Sequence, residues 1–336
     1  MLFIDKSNND IKNSLEEHII AVSKYILNKV ENGFKCTMKK KCTIEKKCSR
    51  CTLVENNKTL IEKLRNYLSN KETLKKILSA QPSEMNTILN DFSKNIYNLK
   101  EYKCETVKKD INIIELFFNY SSWFSGIDTN KKYGPYAISN ALNRNTCTYC
   151  NRNYSLTITK NKKASKLIRP QLDHWFSKEN YPFLALSFYN LIPCCASCNS
   201  ASVKGRNEFS LKTHIHPYEE DISEKFKFRH DYYENIENYK VTIETDCEKS
   251  MRTVKSFYLE EIYTAHQSEI KDLIKIREAY SDDYLKSLDI AFPNANLNKE
   301  EIYRFAFGTE LKPFDFHKRP FSKFKHDILK DLNIIK

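Results

Sequence analysis

Between residues 147 and 199 the chain reads Cys147-Thr148-Tyr149-Cys150, then Leu172-Asp173-His174-Trp175, then Tyr189-Asn190-Leu191-Ile192-Pro193-Cys194, and closes on Cys195-Ala196-Ser197-Cys198-Asn199. Two Cys-x-x-Cys knuckles can deliver four thiolates to one tetrahedral zinc, because the two-residue gap lets both sulfurs and the amides of the turn converge on one ion. Four thiolates fill the coordination shell. A zinc at Cys147, Cys150, Cys195 and Cys198 is therefore expected to be a structural staple, and any catalysis must come from the residues between the knuckles.

Those residues have the right chemistry for a phosphodiester, whose hydrolysis needs an activated water, a Lewis acid and an in-line approach. Asp173 offers a hard oxygen ligand for Mg²⁺ or Mn²⁺, and the neighbouring His174 offers a neutral base. Both fall in a β-prone run, where successive side chains point to opposite faces and can serve different partners. Asn199 brings an amide oxygen to the expected start of a helix, a position that favours an anion such as phosphate. Singly, each has an ordinary structural reading: an Asp-His pair as a surface turn, an Asn after a Cys as a cap. Their order between two knuckles favours the functional one.

The order resembles the zinc-stabilised, four-cysteine form of the HNH nuclease family, the His-Me finger or ββα-metal fold, over about sixty residues from Cys147 to Lys204. The resemblance implies that His174 is the general base and that Asp173 and Asn199 hold one divalent ion, Mg²⁺ or Mn²⁺. It makes Asn190 the brace of the loop that orients the histidine, and Lys204 or Arg206 a phosphate contact; Lys178 is a further candidate for binding nucleic acid. Two positions depart from the family pattern: Ser177 stands where Pro is frequent, and Ser202 where Lys is frequent. Cys194 reads as a buried thiol. More widely, CTYCNRNY (147–154) and YNLIPCCASCN (189–199) are similar to HNH proteins encoded beside an ATPase in anti-phage systems of the Septu type and some retrons. That similarity implies a defence role and an ATPase partner.

Outside this stretch, Cys36, Cys42, Cys48 and Cys51 fall within sixteen residues among many lysines. They could close a second zinc site or stay as free thiols. The net charge of +12 is uneven: residues 143–206 hold ten Lys/Arg against Asp173 and Glu179, and residues 31–51 hold seven against Glu31 and Glu45. A local excess of that size is a footprint for a polyanion. The expected partner is nucleic acid, with DNA favoured and RNA such as a tRNA the alternative. A non-catalytic zinc module that binds nucleic acid is the competing class. Only 5 Gly and 9 Pro exclude collagen-like and linker-like chains. No basic segment followed by an apolar run opens the chain, and no stretch nears the roughly 18 apolar residues of a membrane span. A cytoplasmic protein with reduced thiols and no membrane contact is expected.

The fold class expected is α+β. Residues 1–140 read as a helical region, with helices over 11–31, 59–78 and 84–99 and a buried aromatic stretch over 111–124. Residues 141–218 are the nuclease segment, with strands at 154–159 and 168–175 about a polar loop, and a helix from about Asn199. Residues 219–336 carry a hairpin (226–228 with 239–243), a helix over 254–278 and a last helix over 321–332. His214 and His216 are expected to be structural, and His266 to lie on an apolar helix face.

Overall fold

The computed structural model describes residues 2–37, 42–43, 47–126, 133–160, 165–205, 207–221, 223–232, 239–279, 290 and 297–335. Helix α1 (Asn9–Asn32) starts where the Asn8 side chain accepts the Asp10 amide, and ends at Gly33, whose φ of +70° suits glycine. Its buried stripe is Ile11, Ser14, His18, Val22 and Ile26. The region continues with α2 (Ser49–Asn56), α3 (Lys58–Ser69), α4 (Lys71–Ser79), α5 (Met85–Tyr97), α6 (Cys104–Lys109), α7 (Ile111–Phe118), α8 (Tyr120–Gly126) and α9 (Pro135–Leu142), of which α3, α4, α7 and α9 pack on α1. The single helix expected over 59–78 is two. Asn70 breaks it, because its side chain accepts the Thr73 amide and starts α4 instead of continuing α3.

The strands form three two-stranded antiparallel sheets: β1 (Ile158–Lys160) with β2 (Ser165–Ile168), β3 (Gln171–His174) with β4 (Leu191–Cys194), and β5 (Lys227–Tyr232) with β6 (Tyr239–Glu244). The run at 154–159 is strand only at its end; Tyr154 makes one isolated bridge, to Thr146. In β3–β4, Asp173 lies opposite Ile192 and His174 opposite Leu191.

The helix expected from Asn199 is absent: residues 196–205 form a series of turns. The Val203 and Gly205 amides both donate to the Ser200 carbonyl, and Gly205 turns back with φ +48°. A Cβ there would sit 2.4 Å from the Ala201 carbonyl oxygen, so only glycine closes this turn. The helix expected over 254–278 is three: α10 (Glu248–Ser256), α11 (Leu259–Thr264) and α12 (Gln267–Ala279). The first break is at Tyr258 (φ +50°). The second is at His266, which faces Arg152 at 3.2 Å rather than sitting on an apolar helix face. Helices at Lys299–Phe307 and Ser322–Asp331 follow.

One apolar core runs from Ile4 to Leu329 through all three segments of the chain. Its junction is the first knuckle. The Leu2 amide donates to Thr148 O and the Phe321 amide to Asn151 O. The Asn151 side chain donates to Phe316 O and accepts from the Lys323 amide. Among the described residues no helix is long and apolar enough to cross a membrane.

Candidate active site and metal centres

The sulfurs of Cys147, Cys150, Cys195 and Cys198 lie within 4.8 Å of one another, all buried, with Cys150 and Cys195 4.0 Å apart. Zinc–sulfur bonds of about 2.3 Å in a tetrahedron put sulfurs about 3.8 Å apart, so the cluster has the dimensions of a zinc site. Burial holds the Cys147 thiol well above its ordinary range, while hydrogen bonds from Cys147 pull Cys150 to about 7 and Cys195 far down. Thiols packed this closely can all ionise only around a cation. The Cys198 amide adds a donor to Cys195 Sγ at 3.5 Å.

A second group has similar dimensions. Cys36 Sγ lies 3.1 Å from Cys42 Sγ and 3.7 Å from Cys48 Sγ, and Cys42 Sγ lies 3.6 Å from Cys51 Sγ. Both groups could hold zinc.

Between the two knuckles at 147–150 and 195–198, strand alternation separates Asp173 from His174. Asp173 is 5 % exposed; Tyr149 donates to its Oδ2 at 2.6 Å and Lys204 Nζ to its Oδ1 at 3.1 Å. Lys204, 2 % exposed, also donates to the His174 carbonyl at 2.7 Å, and its ammonium lies 5.2 Å from the Phe209 ring centre. As placed, it is an internal counter-ion and not the phosphate contact expected of it. The cause is the turn at 200–205, which directs the side chain inward under Asp173. Arg206 lies outside the described residues. Lys178 lies on the Tyr120 side of His174, with its ammonium 6.0 Å from the Tyr120 ring centre.

His174 stands against the Tyr120 ring edge-on at 4.4 Å. Its Nε2 is 3.0 Å from the Ala185 carbonyl, an acceptor only, so Nε2 carries the hydrogen and Nδ1 the lone pair. Among the described residues Nδ1 has no hydrogen-bond partner. Burial pushes the imidazole down to about 4, against the opposing pull of Asp173, and Lys178 and Lys204 lower it further. The ring is neutral at ordinary pH.

The acceptor that fixes this ring is itself held. Leu184 O takes Asn190 Nδ2 at 3.1 Å, Ala185 O takes His174, and Leu186 O takes His18 Nε2 at 2.7 Å. Three consecutive carbonyls thus bind three side-chain donors. Asn190 is fully buried, also accepting the Phe176 amide at 2.7 Å and donating to Phe176 O at 3.1 Å. It clamps both ends of the loop that leaves His174 and returns to Ala185. His18 arrives from α1, 168 positions before its partner. Phe92 of α5 stacks on Phe183 at 4.2 Å, so the helical region supports the loop directly.

Asn199 sits at the turn after the second knuckle and donates to Gln171 Oε1 at 2.8 Å. Gln171 and Asp173 are two apart on β3 and share a face, which places Asn199 and Asp173 on one side of the ribbon. The oxygens of Asp173 and Asn199 are the type that Mg²⁺ or Mn²⁺ takes. Each carboxylate oxygen also keeps a lone-pair site beyond its present donor. In this arrangement both Asp173 oxygens already accept a donor, with the Lys204 ammonium placing a positive charge at Oδ1. His216 is fully buried, accepting the Tyr218 amide at Nδ1, and His214 stacks on Phe209 at 4.0 Å; both are packed into the fold.

Sequence reasoning missed Tyr149, Tyr120 and His18. Tyr149 lies inside the first knuckle, but nothing in the spacing marks its hydroxyl as a carboxylate donor. Comparison with protein-family models, curated proteins and solved structures gives no match to this chain.

Proposed function

We propose that this chain is a metal-dependent endonuclease of the HNH type that hydrolyses phosphodiester bonds, with DNA as the substrate. The observation that carries the reading is the geometry of His174: fixed by its Nε2–H on the Ala185 carbonyl, with Nδ1 unpartnered among the described residues. A general base at ordinary pH needs that combination of orientation and an available lone pair.

His174 Nδ1 takes the proton of the attacking water. Asn190 and His18 hold the carbonyl ladder 184–186 that fixes the ring, so the lone pair keeps one direction through the reaction. Asp173 and Asn199 would hold the divalent ion, which when bound supplies Lewis acidity to the phosphoryl oxygens. Lys178 beside Tyr120 is the candidate phosphate contact on the His174 face. The two thiolate clusters serve as zinc staples, the Cys147 one at the Gln171–Cys194 end of the β3–β4 unit. An anti-phage role with an ATPase partner belongs to the same proposal and rests on the sequence similarity alone.

A nuclease assay with Mg²⁺ or Mn²⁺ tests it. Wild type should cut plasmid DNA, and His174→Ala should cut about 10²–10⁴-fold more slowly. Equal rates for the two would overturn the proposal, and cutting of tRNA but not plasmid would move the substrate to RNA.

A further inference from the structure

The cleft between the end of α1, the Cys36–Cys51 group and α3 has no part in the chemistry above. It encloses about 390 Å³ and is lined by Lys47, Arg50, Lys58 and Arg65 over a floor of Phe34 and Val54. We propose that it binds phosphate groups of a nucleic-acid backbone, as a second contact apart from the hydrolytic site.

Among the described lining residues four cations face one acid. That acid, Glu55, is paired with Lys47. Arg50 donates to the Lys35 carbonyl at 2.9 Å and has no acidic partner among the described residues. Lys58 and Arg65 lie seven apart on α3 and so project from one side of the helix. Neither is paired with an acid among the described residues. Among the described residues the buried Arg65 Nε has no hydrogen-bond partner, a donor whose desolvation none of them offsets. Two forked guanidinium groups beside the Lys58 ammonium suit a phosphodiester.

The cleft is mechanically tied to the base. Phe34 of its floor meets Phe117 edge-on at 5.0 Å, Phe117 belongs to α7, and α8 follows with Tyr120 against His174. Arg50 lies between Cys48 and Cys51, so zinc at that group would fix its backbone.

The test reads binding, in a chain carrying His174→Ala so that no probe is cut. Its outcome is therefore separate from that of the nuclease proposal. A fluorescent DNA duplex is titrated at several salt concentrations, with and without Lys58→Gln plus Arg65→Gln. The expected result is about tenfold weaker binding and a log–log salt slope smaller by about two, one for each lost phosphate contact. Glu55→Gln, at an exposed position that does not threaten folding, should tighten binding. Unchanged affinity and slope in all variants overturns the proposal. ATP and inorganic phosphate are the second probes: loss of ATP binding in the double variant with duplex binding unchanged would assign the cleft to free nucleotide and overturn the backbone assignment.

Discussion

With its ammonium 3.1 Å from Asp173 Oδ1, Lys204 cannot reach a phosphate in solvent without leaving that carboxylate. Breaking a buried pair from one side leaves an uncompensated charge and costs ~3–5 kcal/mol. Lys204→Met should lower the stability read from urea unfolding by that amount, and Asp173→Asn in the same chain should recover much of it; additive losses would show the pair uncoupled. The ammonium and a divalent ion also compete for one carboxylate, so Lys204→Met should bind Mn²⁺ more tightly, as read by electron paramagnetic resonance of the free ion. None of this was legible in the sequence. Counting charges placed Lys204 in a basic stretch but could not show that a glycine turn at 205 folds it inward. Asp173 and His174 were legible as neighbours on opposite faces of a strand, whereas Asn190 was named only through the family resemblance. Asn190→Asp removes the amide donors to Phe176 O and Leu184 O, and should cost about 2–4 kcal/mol in the same urea measurement.

Elements with a clear period were readable: α1, α5 and the β5–β6 hairpin lie where their apolar spacing puts them. Breaks were less readable, because Asn70, Tyr258 and His266 interrupt continuous apolar patterns through caps and backbone turns that periodicity does not register. Least readable was the ladder 184–186, since His18 reaches it from α1. Replacing His18 by Leu leaves Leu186 O without its donor in a dry setting and should destabilise the fold by about 1–3 kcal/mol. The knuckles were readable from spacing alone. Cys147→Ser and Cys48→Ser should each remove one zinc from a chain that carries one at each group; metal analysis of the purified variants would show a single shared loss if only one group binds.

At the scale of the molecule, buried histidines set the response to acid. His18 and His317 are held at about 4, and His216 well below its ordinary value, in each case chiefly by burial. The unfolded chain then binds more protons than the folded one between about 4 and 6.5, so stability rises with pH across that window and is lost on acidification. His18 alone accounts for about 3 kcal/mol. The melting temperature should fall steeply from about pH 6.5 towards 4 and stay flat just above it, and an unchanged melting temperature there would contradict the burial of these rings.

The first knuckle joins residues at both extremes of the described chain, with Asn151 bonded to Lys323 across 172 positions. That connection imposes an order of assembly. Cys36 to Cys51 closes a loop of sixteen residues, whereas Cys147 to Cys198 spans fifty-two and sits beneath contacts that form only when distant segments have docked. Loop closure alone favours the shorter span by about 1 kcal/mol. Refolding with less than one equivalent of zinc should therefore load the Cys36 group first, and the Cys147 group with its β3–β4 ribbon would be the last part of the molecule to mature.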